Sequence, residues 1–249
     1  METYLLLCIA LMAFLYASVG HGGASGYHAV MALFLVTPLV MKSTALTLNI
    51  FVAGVSFYHY YKAGYFKWKL FLPFAIGSIP FAFVGGYIQI QEEIYKGVLG
   101  LFLIFAVLKM LGFMRKKKNA LVKLPSYLGV IFGALLGFVS GLLGIGGGII
   151  LSPVLLLFNW AKMKQAAAVS ALFIFVNSIS GLIGLVNSGS YNAVDNLLYW
   201  IVIALVGGCL GSYLGARKMK NSGVRKLLAL VLFLASIKLL SGFVIYIFN

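Results

Sequence analysis

Two short glycine clusters contain the residues of this chain that are best suited to binding a ligand. The first covers residues 20–26 (GHGGASG) and the second covers residues 144–148 (GIGGG). Glycine lets the backbone approach a ligand closely, and a run of backbone N–H groups can bind an anion. His21, inside the first cluster, can donate a hydrogen bond to an oxyanion or titrate near neutral pH. Together the clusters predict a site for a small anion.

Neutral polar residues and histidines in or near the apolar segments extend this candidate site. We predict that the substrate is bound by His21, Gly22, Gly23, Ser25, His28, Asn49, Gly146, Gly147, Gly148, Ser152, Pro153, Ser170 and Asn177. Asn49 and Asn177 have an alternative role that stays open, an interhelical hydrogen bond. A valine at Gly147 is expected to block the ligand and to leave the fold largely intact. We expect no catalytic residue, no metal site and no cofactor.

The charged residues near the membrane segments favour an anionic substrate. The acidic residues all lie at the ends of apolar segments: Glu2, Glu92, Glu93 and Asp195. Carriers coupled to protons or sodium ions commonly use a carboxylate inside the membrane, and none is visible here. Lys109 and Lys238 lie near segment ends that we predict to be cytoplasmic. Lysine can extend its ammonium group to the interface there, so a structural role is favoured for both.

The composition places the clusters in a membrane protein. Hydrophobic residues make up 63% of the chain and charged residues 9%, whereas a soluble domain carries about 25% charged residues. The net charge of +15 does not indicate nucleic acid, because the basic residues occupy short loops between apolar runs. The expected partners are therefore a small anionic substrate and the lipid bilayer, with no nucleic acid. A homodimer stays open.

Apolar runs predict about eight to ten helical segments. They cover residues 4–19, 27–41, 43–61, 70–88, 95–113, 126–143, 149–158, 165–187, 196–216 and 225–248. Three of the runs beside the glycine clusters, 4–19, 27–41 and 149–158, hold about 15 residues or fewer. Such a helix is about 22 Å long, less than the hydrocarbon core of about 30 Å. We therefore predict short broken or re-entrant helices at the clusters, while full spanning with the clusters at the surface stays open.

Landmarks in the first half recur in order in the second half. The pairs are Gly20 and Gly144, Gly64 and Gly189, Gly77 and Gly207, Gly85 and Gly215, and Lys109 and Lys238. The two members of each pair lie about half a chain length apart. We predict a first membrane repeat over residues 1–113, a basic cytoplasmic linker over 114–124 and a second membrane repeat over 125–249. Outside the clusters, the paired glycines of the apolar runs are interpreted as helix-packing positions.

Loop charge predicts the orientation of the two repeats. Three basic loops are expected on the cytoplasmic side: 62–69, 114–123 and 217–226. Acidic or neutral loops near 89–95 and 188–195 are expected outside. Both termini then lie outside and the repeats have opposite orientations, which gives an all-α integral membrane bundle of two inverted-topology repeats. Lys42 is the one charge on the wrong face for this scheme.

The residues around the second cluster resemble a known family. Residues 140–157 (SGLLGIGGGIILSPVLLL) and 164–175 (KQAAAVSALFIF) are similar to the repeat signature of the TauE/SafE sulfite exporters, and residues 18–33 resemble the first-repeat variant of one branch. The resemblance covers nearly the whole chain. It carries the family motif onto Gly144, Gly146, Gly147, Gly148, Pro153 and Ser170.

This resemblance implies a multi-pass carrier in the bacterial inner membrane. Its substrates would be sulfur-containing anions such as sulfite, thiosulfate, sulfoacetate or related organosulfonates. The first half lacks the proline of the motif and has histidines instead. The resemblance therefore does not identify the particular anion.

Two other functions stay open. A passive anion channel shares every feature above. Residues 23–26 also resemble the Gly-x-Ser-Gly nucleophile motif of rhomboid intramembrane proteases, with Ser25 as the nucleophile. Such a serine needs a histidine base from elsewhere, and His59 is the only candidate on a distant segment. A protease has no use for the second glycine cluster, so we expect a transporter and not an enzyme.

Overall fold

A computed structural model of the chain describes residues 2–111, 121–217 and 222–248. Within these ranges every regular element is a helix. The helices are α1 (Glu2–Ala17), α2 (Ala24–Leu33), α3 (Pro38–Lys62), α4 (Trp68–Tyr87), α5 (Glu92–Leu111), α6 (Ser126–Leu143), α7 (Gly148–Leu157), α8 (Met163–Asn187), α9 (Leu197–Arg217) and α10 (Ser222–Phe248). Five of them, α3, α4, α6, α8 and α9, are long and apolar enough to cross a membrane. The predicted polytopic helical membrane fold is confirmed.

Some predictions concern residues outside the described ranges. They include most of the basic linker 114–124, its boundary at residue 113, the two terminal residues Met1 and Asn249, and the side chain of Lys109. The proposed linker, the position of both termini and the role of Lys109 stay predictions.

Corresponding helices of the two halves agree in length and in packing. The short helices α2 and α7 have 10 residues each, and α3 and α8 have 25 each. Helix α1 packs on α9 as α6 packs on α4, while α3 packs on α8 and α5 on α10. The pair α1–α9 therefore corresponds to the pair α6–α4, as expected when two repeats are related by a two-fold axis. The domain boundaries and the inverted orientation stay predictions.

Glycines line the two equivalent interfaces α4–α6 and α1–α9. A Cβ on Gly77 or Gly85 of α4 would meet the backbone of α6. A Cβ on Gly207 or Gly215 of α9 would meet the backbone of residues 10–18. The missing side chains let the helix axes approach closely, as small residues do in membrane helix pairs. The packing interpretation of these four glycines is confirmed.

The predicted segment 27–41 is wrong in its extent, because the chain turns within it. Helix α2 ends at Leu33 and α3 begins at Pro38. Residues 34–36 continue the apolar run, but Leu35 has a φ of 63°, which does not occur in a right-handed helix. Pro38 also disfavours the helical conformation in the residue before it. Pro38 itself suits a helix start, where its missing N–H leaves no bond unmade. At 10 residues, α2 is about 15 Å long, half of the hydrocarbon core.

Candidate functional site

The two glycine breaks meet at the middle of the central helices α3 and α8. A Cβ on Gly22 of the first break would contact both Asn49 of α3 and Ile174 of α8, and a Cβ on Gly146 of the second break would contact the same two residues. Asn49 and Ile174 both lie near the midpoints of helices of 25 residues. Residues 20–26 and 144–149 are all buried. The structure therefore brings the two predicted clusters to one buried place.

Both short helices begin at this meeting point. Gly23 is the N-cap of α2 with a φ of 107°, and Gly147 is the N-cap of α7 with a φ of 72°. Glycine adopts such left-handed conformations without a steric penalty. It also has no side chain to accept a bond from the first helical turn, whose N–H groups then need other partners. Asn49 supplies one, because its Oδ1 accepts from the Ala24 N–H at 3.1 Å.

His21 links the first break to α7 and α8 in the second half of the chain. Its Nε2 lies 3.3 Å from Ser152 Oγ of α7, and Ser152 Oγ lies 2.8 Å from Ser170 Oγ of α8. Its Nδ1 lies 3.1 Å from the Val19 carbonyl, which can only accept, so Nδ1 carries a proton. The neutral ring then accepts from Ser152, and only the protonated ring donates from both nitrogens. Three predicted residues thus form one polar chain across the two halves.

His28 of α2 contacts the residue that precedes the second break. Its Nε2 donates to the carbonyl of Leu143 at 2.8 Å, and Leu143 is the last residue of α6. Tyr95 of α5 donates to the same carbonyl at 2.9 Å. His28 therefore touches the chain just before the second break, while His21 touches α7 just after it.

The other predicted polar residues make more local contacts. Ser25 Oγ donates to the Tyr16 hydroxyl at 2.9 Å. Asn177 Nδ2 donates to the Phe173 carbonyl within α8 at 2.7 Å. Asn49 makes an interhelical bond, from α3 to the start of α2, whereas the Asn177 amide nitrogen bonds within its own helix. The two asparagines therefore do not serve as equivalent partners.

Gly148 and Pro153 both belong to α7. Gly148 is the first residue of the helix, and a Cβ there would meet the side chain of Ile174. Pro153 is buried inside the helix, six residues after the Gly147 N-cap. A proline within a helix removes one backbone bond. Helix α7 therefore has one backbone hydrogen bond fewer close to the break.

Several buried polar atoms around the breaks lack a hydrogen-bond partner among the described residues. Asn49 Nδ2 would lie 2.8 Å, and Ser178 Oγ 3.2 Å, from a Cβ on Gly146. The side chain of Ser140 would lie 3.3 Å from a Cβ on Gly147, and its hydroxyl is also unpaired. An unsatisfied buried polar group costs about 1–3 kcal/mol. The Asn49 amide N–H and the Ser178 hydroxyl, which both lie beside Gly146, are groups that can donate to the oxygens of an anion.

Four residues near the site were missed by sequence reasoning: Tyr16, Tyr95, Ser140 and Ser178. Ser178 follows Asn177 directly, and Ser140 precedes Gly144 by one helical turn, so proximity to a candidate was an available signal. Tyr16 and Tyr95 had no such signal in the sequence, because many tyrosines of this chain lie near segment ends as interfacial residues do.

The side chains of the protease hypothesis contact different partners. The Ser25 hydroxyl donates to Tyr16. His59, near the end of α3, lies with its Nδ1 2.7 Å from Ser212 Oγ of α9. A serine nucleophile needs its base within hydrogen-bond reach. The arrangement of these two residues therefore gives no support to a serine–histidine pair.

The chain is similar to known membrane proteins over nearly its whole length. A family model described as "Sulfite exporter TauE/SafE" matches residues 5–239. The probable membrane transporter protein y4hK of Sinorhizobium fredii is 37% identical over 241 residues, which are 95% of this chain and 97% of that protein. The probable membrane transporter protein YunE of Bacillus subtilis is 29% identical over 230 residues, 82% of each chain. A probable membrane transporter protein of Haemophilus influenzae is 28% identical over 244 residues, 91% of each. No solved structure matches.

Proposed function

The chain belongs to the sulfite exporter TauE/SafE family of multi-pass membrane transporters, and we propose that it carries small sulfur-containing anions across the inner membrane. The candidate substrates are sulfite, thiosulfate, sulfoacetate and other organosulfonates. The names of the relatives state only that they are probable transporters. The anion class is therefore proposed from the family and from the chemistry of the candidate site.

The observation that supports an anion is the meeting of two helix N-termini beside Asn49. A helix N-terminus carries about half a positive charge and unsatisfied N–H groups. Both α2 and α7 begin with a glycine N-cap that has no side chain to occupy these groups. Helix N-termini of this kind bind phosphate and sulfate groups in many proteins. A sulfur oxyanion has several oxygens to offer to both termini and to Asn49 Nδ2, and the two breaks must separate to admit it, because a Cβ on Gly22 or Gly146 would already lie less than 3 Å from Asn49.

The position of the site favours a carrier. Secondary transporters with inverted repeats bind their substrates at the repeat interface, near the middle of the bilayer, on interrupted helices. Here the interrupted pairs α1–α2 and α6–α7 come from different halves and meet at the midpoints of α3 and α8. A site between two halves can open to either side as one half moves against the other.

Transport measurements with purified protein in proteoliposomes test this proposal. We expect saturable uptake of radiolabelled thiosulfate or sulfite, accelerated when the same unlabelled anion is present inside the vesicles. Sulfate, sulfoacetate and taurine then define the specificity as competitors. Flux without saturation or acceleration would indicate a channel. Stabilisation of the protein by cations or sugars alone would reject the proposal that the substrate is an anion.

A further inference from the structure

A cavity of about 220 Å³ lies beside the second break, at the predicted outer end of the molecule. Its walls come from the starts of α3 and α5, the α4–α5 connection and the ends of α6 and α8. The polar side chains among its lining residues include Lys42, Glu92 and Tyr95. One water occupies about 30 Å³ of liquid, so the cavity has room for a small oxyanion together with water.

Lys42 is a buried cation without a carboxylate partner. Its side chain is only 6% exposed, and its Nζ lies 3.5, 3.2 and 3.4 Å from the carbonyls of Gly85, Gly86 and Ile88. The ion pair found in the described part of the chain joins Lys96 to Glu92 at 2.7 Å, so Glu92 neutralises a different lysine. A buried charge that lacks a countercharge is costly. An anion in the adjoining cavity would supply the missing charge.

The contacts of Lys42 differ from those of lysines that only cap a helix end. Lys238 Nζ donates to the Leu33 carbonyl at 2.7 Å, at the end of α2. Lys164 Nζ donates to the Ala216 carbonyl at 2.9 Å, near the end of α9. Both are more exposed than Lys42 and make one shorter bond to a carbonyl. Lys42 instead shares its three donors among three carbonyls at longer distances, so an oxyanion in the cavity would replace one of these carbonyls as an acceptor.

The cavity borders the second break directly. The Cγ and Cα of Lys42 would lie 3.0 and 3.2 Å from a Cβ on Gly144, the first residue of that break. Tyr95, which also lines the cavity, donates to the Leu143 carbonyl at 2.9 Å. An anion in the cavity is therefore separated from the break by a single layer of residues.

We propose that Lys42 forms a second, outer binding site for the transported anion, in the cavity lined by Lys42 and Tyr95. This site rests on the proposed transport of a sulfur oxyanion. The anion pairs with the ammonium group there before it reaches the two helix N-termini at Asn49. In the absence of the anion, the same ammonium group stays on the carbonyls that end α4.

The test compares thiosulfate uptake by Lys42→Met, Lys42→Arg and the control Lys238→Met, each as full-length protein in proteoliposomes. Loss of a charged hydrogen-bond partner should raise the KM of Lys42→Met about tenfold to a hundredfold. Lys42→Arg should keep most of the affinity, because it keeps the charge. Lys238→Met should lower only the melting temperature, since it removes a helix cap. A Lys42→Met protein with reduced melting temperature and wild-type KM would assign Lys42 to capping alone and overturn the proposal.

A second measurement uses the wild-type protein and does not depend on the folding of a variant. With the reaction time set so that part of Lys42, which is only 6% exposed, becomes acylated without thiosulfate, thiosulfate should protect Lys42 but not Lys238 from an amine-acylating reagent, as read by mass spectrometry of the digested protein. Equal acylation of Lys42 with and without thiosulfate would reject the outer site. If wild-type protein transports no sulfur oxyanion, the proposed function fails and the outer site fails with it. If it transports thiosulfate and Lys42 proves indifferent, only the outer site fails.

Discussion

His21 and Asn49 offer an anion different kinds of hydrogen bond. Asn49 already uses Oδ1 to bond the Ala24 N–H, and its Nδ2 is a buried donor without a partner. His21 has its Nδ1 on the Val19 carbonyl and its Nε2 on Ser152. A ligand oxygen would therefore meet Asn49 without breaking an existing bond, whereas binding to His21 requires Ser152 to turn or the ring to gain a proton.

Replacing Asn49 by aspartate tests the anion at the site. An aspartate keeps an acceptor for the Ala24 N–H at a helix N-terminus, where negative charge is favourable. It removes the unpaired donor and places a negative charge where the substrate anion is proposed to bind. We expect the affinity for thiosulfate to fall at least about tenfold, and the melting temperature in detergent to fall as well, because the buried carboxylate has no countercharge. Calorimetry and thermal unfolding measure both quantities.

The matched control for Asn49 is leucine at the same position. Asn49→Leu removes the bond to α2 as well as the donor, so it should lose both affinity and stability. Wild-type affinity in Asn49→Asp would show that the anion does not reach Asn49, and Ser170 and Asn177 would become the next positions to test.

Replacing His21 by alanine removes one hydrogen-bonding partner from the polar chain of His21, Ser152 and Ser170. If His21 meets a charged ligand, the loss should cost about 1–3 kcal/mol, a decrease in affinity of roughly tenfold to a hundredfold. His21→Gln should retain part of it because an amide still donates. The control is His59→Ala. The His59 ring lies near the end of α3 and contacts Ser212 of α9. Equal affinities of His21→Ala and His59→Ala would remove His21 from the site.

At the scale of helices, the sequence predicts the elements, and it predicts their boundaries well around the second break but not between α2 and α3. The segments 126–143 and 165–187 were predicted within two residues of α6 and α8, because long apolar runs between basic or polar loops define them. The turn between α2 and α3 was not predicted, because residues 34–36 are all apolar and the pattern gives no sign of the change in backbone conformation at Leu35. The contact of His21 with Ser152 could not be predicted either, because it depends on how two distant helices pack.

The expectation that valine at Gly147 leaves the fold intact is wrong. Gly147 has a φ of 72°, and a Cβ there would lie 2.8 Å from the Phe173 ring. A side chain would therefore be strained by both the backbone conformation and the neighbour. Loss of binding in such a variant cannot be separated from loss of structure.

Alanine at Gly147 and at Gly189 separates these two costs. Gly189 has the same φ of 72°, but a Cβ there would meet nothing within 4 Å. Gly189→Ala should therefore show only the backbone penalty of about 1–2 kcal/mol. Gly147→Ala should lower the melting temperature further, because Phe173 must also move. Equal melting temperatures for the two variants would contradict the close packing at the start of α7.

At the scale of the whole molecule, each break passes the beginning of a central helix from the other half of the chain. A Cβ on Gly20 would meet Ala167 near the start of α8, and a Cβ on Gly144 would meet Lys42 near the start of α3. Cavities of about 220 and 480 Å³ lie beside the loops near 89 and 192–196. At the other end, Tyr60 donates to the Ser18 carbonyl at 2.8 Å and joins α3 to the first break.

The orientation of these two ends decides the direction from which an anion first meets Lys42. We expect Asp195→Cys to react with a membrane-impermeant maleimide in intact cells, and Lys123→Cys to react only after permeabilisation, because basic loops stay in the cytoplasm. The background carries Cys8→Ser and Cys209→Ser, must remain unlabelled and must retain thiosulfate uptake. Labelling of Lys123→Cys in intact cells would reverse the predicted topology. The cavity at Lys42 would then face the cytoplasm, where it would load an anion for export.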